Sequence, residues 1–211
     1  MYIHLIRHGQ TKGNMEKKYI GLTDEPLSQE TLSALEPYPD KSIGNVFCSP
    51  LLRCRQTAEI LFPQQKILIV EGLSETNFGD FENKNYEQLK DLPSYRQWLD
   101  DQATPPNGES HEHFKTRCCL NFQEIVTSSL AQNLQKIAVI THGGTIMSIM
   151  ENFALPQQPF YTWQPPNNGG FVMQTTKEFW QQQRKVNLVE KIHEKPPGEV
   201  HAAAYQPIQL Q

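Results

Sequence analysis

Four short apolar runs, set between stretches of helical period, constrain this chain more than any other feature. YIHLI (2–6), NVFCS (45–49), KILIV (66–70) and KIAVI (136–140) are too short for buried helices and read as buried strands. Helical patterns lie between them. SQETLSAL (28–35) has Ser28 placed as an N-cap. SPLLRCRQTAEILF (49–62) offers Ser49 as an N-cap and Pro50 for the first helical position. Residues 86–102 read as two helical pieces broken at Pro93. From Glu109 a long helix follows, with Phe114, Cys118, Phe122, Val126, Leu130 and Leu134 recurring every fourth residue. GGTIMSIMENF (143–153) is a further helix, and GFVMQT and KVNLVEKI are two closing strands. Residues 12–27, 71–85 and 104–110 read as loops. Strands alternating with helices predict an α/β fold, a three-layer sandwich with a mostly parallel central sheet and helices on both faces. The expected organisation is a single domain over 1–195, with a helical cap-like insertion around 71–110 and an irregular tail over 196–211.

Charge and composition narrow the partners. A net charge of −4 gives no general attraction to nucleic acid or to an acidic membrane, so any affinity for phosphate must come from a local cluster of cations. No apolar run approaches a membrane span, and the N-terminus reaches Arg7 without a signal-peptide core. Cys48, Cys54, Cys118 and Cys119 lack the C-x-x-C spacing and read as reduced thiols packed as small apolar groups. Together these features point to the cytoplasm.

In open α/β sheets, ligands bind beyond the carboxyl ends of the strands. Here those ends carry chemistry. The first strand gives Arg7-His8-Gly9, the second gives Ser49 and then Arg53, and the fourth gives Thr141-His142-Gly143-Gly144. A metal is the first reading of paired histidines, but neighbouring arginines would repel it and carboxylate or thiolate ligands are missing from these ends. The same cations suit a phosphate. Arginine grips a dianion through a planar fork, and two helix N-termini begin nearby. Each residue also has a structural reading: a histidine satisfied in the core, or an arginine in a salt bridge. The convergence on strand ends favours a site. A general acid should come from the loop 71–85, which offers Glu71, Glu75, Asp80 and Glu82 without choosing among them. The aromatic segment with Phe160, Tyr161 and Trp163 suits either a pocket lining or core, and core is preferred.

RHGQT (7–11), SPLLRCRQTA (49–58), LSETNFGDFE (73–82) and THGG (141–144) together resemble the histidine phosphatase superfamily, which holds phosphoglycerate mutases and small phosphatases. The resemblance covers residues 1–153 in order and implies a phosphoglycerate mutase-like fold. It implies His8 as the nucleophile of a phosphohistidine, with Arg7, Arg53 and His142 as the phosphate pocket. It selects Glu75 as the acid and adds Asn14, Thr23 and Gly143 as phosphate or substrate contacts. It implies no metal and no organic cofactor, and a small phosphate ester as the partner. Two segments depart from the pattern: PLSQET (26–31) has Thr31 where glycine is common, and FEN (81–83) stands for W-E-G. The stretch 71–110 is short and carries only Lys84, Lys90 and Arg96 as basic residues, which favours a phosphatase over a mutase. PPNGES (105–110) and the chain length resemble small phosphatases, including those acting on α-ribazole phosphate. The alternatives are mutase-type phosphoryl transfer and a phosphate-ester binding protein without catalysis.

Overall fold

The computed structural model describes residues 1–100 and 103–192. In chain order it contains β1 (Tyr2–Arg7), α1 (Lys12–Met15), α2 (Gln29–Ala34), β2 (Asn45–Cys48), α3 (Leu52–Leu61), β3 (Ile67–Ile69), α4 (Tyr86–Leu89), α5 (Pro93–Leu99), α6 (His111–Ala131), β4 (Lys136–Thr141), α7 (Gly143–Phe153), β5 (Ala154–Leu155), β6 (Gly170–Gln174), α8 (Lys177–Gln183) and β7 (Val186–Ile192). Short 3-10 turns lie at Glu71–Leu73, Gly79–Phe81 and Phe160–Trp163.

The seven strands form one sheet in the order β3-β2-β4-β1-β6-β7-β5. The half from β3 to β1 is parallel, and β6 runs antiparallel to both its neighbours. Side-chain alternation decides the layers. Ile3, Leu5, Phe47, Ile137 and Val139 pack with Phe122 and Val126 of α6, Met150 of α7 and Trp180 of α8. Ile6, Val46, Cys48, Ala138 and Ile140 belong to a second cluster with Cys54, Ala58 and Leu61 of α3. The expected α/β arrangement is therefore present, with both sheet faces covered.

The elements α4 and α5 share a small core with the loop after α1. Tyr19, reaching in from the loop after α1, joins Phe81, Leu89, Tyr95 and Trp98 there. The Tyr19 and Tyr95 hydroxyls meet at 2.6 Å.

Several local expectations are corrected. α3 starts at Leu52 with Leu51 as its N-cap, and not at Ser49 and Pro50. The Ser49 hydroxyl is used elsewhere, as described below. Residues 12–27 are not wholly loop: Thr11 and Asn14 make a reciprocal capping box that closes the single turn α1. Ser110 caps α6, which ends at Ala131, so Leu134 packs from beyond the helix. β5 and α8 were not expected. In the aromatic segment, Trp163 is core, while Tyr161 is exposed. All four cysteines are free, three of them buried. The tail 196–211 lies outside the described residues.

Candidate active site

Register brings the site together. β1 and β4 run in parallel with Arg7 opposite Thr141, and Cys48 at the end of β2 lies opposite Ile140. The residues immediately beyond, His8, Ser49 and His142, therefore emerge at one edge of the sheet. The His8 and His142 rings stand edge to face with centroids 5.1 Å apart. Both are enclosed, at 3% and 0% exposure.

His8 is oriented by its own turn. Its Nδ1 lies 2.7 Å from the carbonyl oxygen of Gly9, which only accepts, so Nδ1 carries the proton and Nε2 holds the free lone pair. The turn is pinned in turn. Gly9 N–H donates to Thr57 Oγ1 of α3 at 2.9 Å, and Asn167 Nδ2 donates to the carbonyls of His8 and Gly9. Burial, then Arg53 and Arg7, hold the His8 pKa well below the ordinary imidazole value, against a smaller upward effect of the Gly9 bond. The ring is therefore neutral at neutral pH.

His142 is lowered in the same way by burial, Arg53, His8 and Arg7. Its Nε2 lies 2.7 Å from Ser49 Oγ, with Cys54 Sγ at 3.4 Å. Ser49 thus supports a pocket histidine where a helix cap was expected.

Arg53 reaches in from the first turn of α3 and is 1% exposed. Its Nη1 donates to the Thr23 carbonyl at 2.8 Å, and its Nη2 to Gly21 and Ile20 at 2.8 and 3.3 Å. Its Nε is buried with no partner among the described residues. Such an N–H is costly unless a ligand oxygen meets it. Arg7 Nη1 donates to the Pro165 carbonyl at 2.9 Å.

Glu75 is 8% exposed. Oε2 accepts from Gly144 N at 2.9 Å, and Oε1 accepts from Thr76 N at 3.0 Å. Burial raises its pKa, and the two amides, Arg53 and Arg7 offset that only in part. A Cβ on Gly144 would come within 2.5 Å of Glu75 Oε1, so the first turn of α7 needs glycine for the acid to seat. Gly143 opens that turn beside Arg7, whose Cζ would be 3.4 Å from an added Cβ.

The remaining expected residues sit around this centre. Asn14 Oδ1 accepts from Thr11 N and from Asn167 Nδ2, which ties it to the His8 turn. Thr23 is turned away: its hydroxyl donates to Glu82 Oε2 at 2.7 Å, and its carbonyl serves Arg53. Of the four acids in 71–85, Glu75 alone reaches the pocket amides of α7, and Glu82 is a backbone clamp.

Arg117, Glu109, Thr57 and Asn167 also support the site and carry no signal a single sequence exposes. Arg117 of α6 donates to the carbonyls of Gly72, Ser74 and Glu75 and forks onto Glu109 at 2.7 and 2.8 Å. Among the described residues, no three His, Cys, Asp or Glu side chains are grouped to hold a metal ion. No helix there is long and apolar enough to cross a membrane.

Comparison with known proteins shows the family and the fold. The histidine phosphatase superfamily (branch 1) pattern matches residues 3–199. The adenosylcobalamin/α-ribazole phosphatase of Escherichia coli (strain K12) is 30% identical over 156 residues, 69% of this chain and 75% of that protein. The 2,3-bisphosphoglycerate-dependent phosphoglycerate mutase 2 of Gloeobacter violaceus is 26% identical over 159 residues, 69% of this chain and 72% of that protein. The crystal structure of the α-ribazole phosphatase from Shigella flexneri superposes with a TM-score of 0.75 at 24% identity, covering 95% of this chain and all of that one (100%). A family pattern that matches nearly the whole chain, residues 3–199, shows that the chain belongs to branch 1 of the histidine phosphatase superfamily.

Proposed function

We propose that this phosphatase hydrolyses a small phosphomonoester without a metal ion, through a phosphohistidine on His8, and that α-ribazole phosphate is the natural ester to try first. The observation that carries the reading is the buried His8 ring with its Nδ1 held 2.7 Å from the Gly9 carbonyl oxygen. That bond leaves Nε2 as the nucleophilic atom, in a pocket shared with Arg53 and His142.

In the first step Nε2 attacks phosphorus. The P–N bond forms, the ester P–O bond breaks, and the leaving alkoxide takes the Glu75 proton. In the second step a water gives its proton to the Glu75 carboxylate and attacks phosphorus. The P–N bond breaks, and inorganic phosphate leaves. Arg53, Arg7, His142 and the α7 N-terminus meet the negative charge of the transferring group. A bound dianion further disfavours the Glu75 carboxylate and keeps the acid protonated until the leaving group needs it.

Hydrolysis is preferred to mutase chemistry on the state of the cap segment. Its basic residues are engaged locally: Lys84 with the Asp80 carbonyl, Lys90 with Glu87, and Arg96 with Asp91 and the Lys90 carbonyl. None of these bonds carries a cation toward His8 to hold a second anionic group. The similarity to the E. coli α-ribazole phosphatase supports the choice of ester.

The test is phosphate release from p-nitrophenyl phosphate in EDTA, wild type beside His8→Ala. Wild-type turnover that falls by about 10³-fold or more in the variant is expected. Turnover that survives the substitution, or that EDTA abolishes, contradicts the proposal.

A further inference from the structure

Glu82 stands outside the pocket, yet its carboxylate accepts from four backbone amides and a hydroxyl. Gly21 N donates to both of its oxygens at 3.1 Å, Leu22 N at 3.0 Å, Thr23 N at 3.4 Å and Phe78 N at 3.2 Å, and the Thr23 hydroxyl donates at 2.7 Å. On the opposite side of the same loop, the carbonyls of Ile20, Gly21 and Thr23 hold the Arg53 guanidinium. The peptide units Ile20–Gly21 and Gly21–Leu22 therefore each point C=O at Arg53 and N–H at Glu82. Their dipoles lie between a cation and an anion in the orientation both charges favour. The loop also sits hard on the acid segment: a Cβ on Gly21 would come within 1.9 Å of the Thr76 carbonyl oxygen.

We propose that Glu82 is the positioning residue for Arg53: its carboxylate sets the backbone of residues 20–23 in the shape that aims the guanidinium at the phosphoryl group, and locks that loop to the segment carrying Glu75. A carboxylate is required. A glutamine offers one acceptor oxygen and turns an NH2 group toward amide donors that need acceptors. The proposal rests on the reading of Arg53 as a phosphoryl ligand.

The experiment is a double-mutant cycle. Kinetics with p-nitrophenyl phosphate, competitive inhibition by inorganic phosphate and thermal melts are measured for wild type, Glu82→Gln, Glu82→Asp, Arg53→Ala and Arg53→Ala/Glu82→Gln. Glu82→Gln should weaken phosphate inhibition by about tenfold or more and lower kcat, and Glu82→Asp should recover part of both. With Arg53 already removed, Glu82→Gln should cost less than about twofold, because its effect runs through that side chain. Wild-type kinetics in Glu82→Gln, or the same fold-loss in both backgrounds, overturns the proposal. Should Glu82→Gln not fold, Glu82→Asp carries the same cycle with the same criterion. Unchanged phosphate inhibition in Arg53→Ala overturns instead the reading of Arg53 beneath it.

Discussion

Burial and two guanidinium groups act in the same direction on His8 and His142, and this shapes both chemistry and stability. Two neutral imidazoles sit where an imidazolium would be desolvated beside fixed positive charge. In the unfolded chain the same rings return to the ordinary value of 6.5. Below that pH the unfolded state binds more protons than the native state. Stability from these groups is therefore full above about pH 6.5 and declines as pH falls toward the folded values. Glu75 acts oppositely: its raised pKa contributes stability below the ordinary carboxylate value of 4.5, which is lost as pH rises through the folded value. Denaturant melts of wild type and His142→Gln should diverge in slope between about pH 7 and 5, the wild type losing about 1–2 kcal/mol more. Parallel slopes would remove His142 from this role. A second expectation concerns the acid. Glu75→Gln should slow an alkyl phosphate by about 10²–10⁴-fold, while p-nitrophenyl phosphate, whose leaving group needs no proton, should lose far less. Equal losses on the two esters would place the proton donor elsewhere.

At the scale of elements, the start of α7 does two jobs. His142 is its N-cap residue, and Gly144 N holds the acid. Gly144→Ala should gain about 1 kcal/mol of helix propensity while driving a methyl group against Glu75 Oε1. Its melt should stay close to wild type, and alkyl phosphate turnover should fall by about tenfold or more, much as in Glu75→Gln. Unaltered alkyl turnover would mean that the acid does not depend on this turn. The elements also show where local sequence signals mislead. Ser49-Pro50 has the composition of a helix start, yet α3 begins at Leu52; the Ser49 hydroxyl lies 2.7 Å from His142 Nε2 and accepts only a longer bond, 3.4 Å, from Leu51 N. The turn α1 was hidden by the polar, glycine-containing run 12–27, although Thr11 and Asn14 stood at capping-box spacing. Trp163 went to the core and Tyr161 to the surface, a division that no short-range pattern in that segment encodes.

Over the whole molecule, the parallel half of the sheet was legible because β-branched runs of strand length alternate with helical periods. The centre of the site was legible because parallel strands of matched register deliver their C-terminal residues to one edge. The placing of Arg7, His8 and His142 needed no more than that. The supports were not legible. Arg117 comes from α6, Asn167 from the loop before β6, and the residue 20–23 carbonyls from an irregular segment, so each depends on contacts far apart in sequence. Glu82 was visible as a carboxylate but not as a clamp, because its donors are backbone amides that carry no residue code. The proposed chemistry turns on one atom, His8 Nε2. The most direct measurement is therefore peptide mass spectrometry on enzyme mixed with p-nitrophenyl phosphate and quenched rapidly in alkali, where phosphohistidine survives. One phosphoryl group on the peptide containing His8, absent from His8→Ala, is the expected result. An enzyme that turns over with no phosphoryl group on His8, or with that group on another residue, would contradict it.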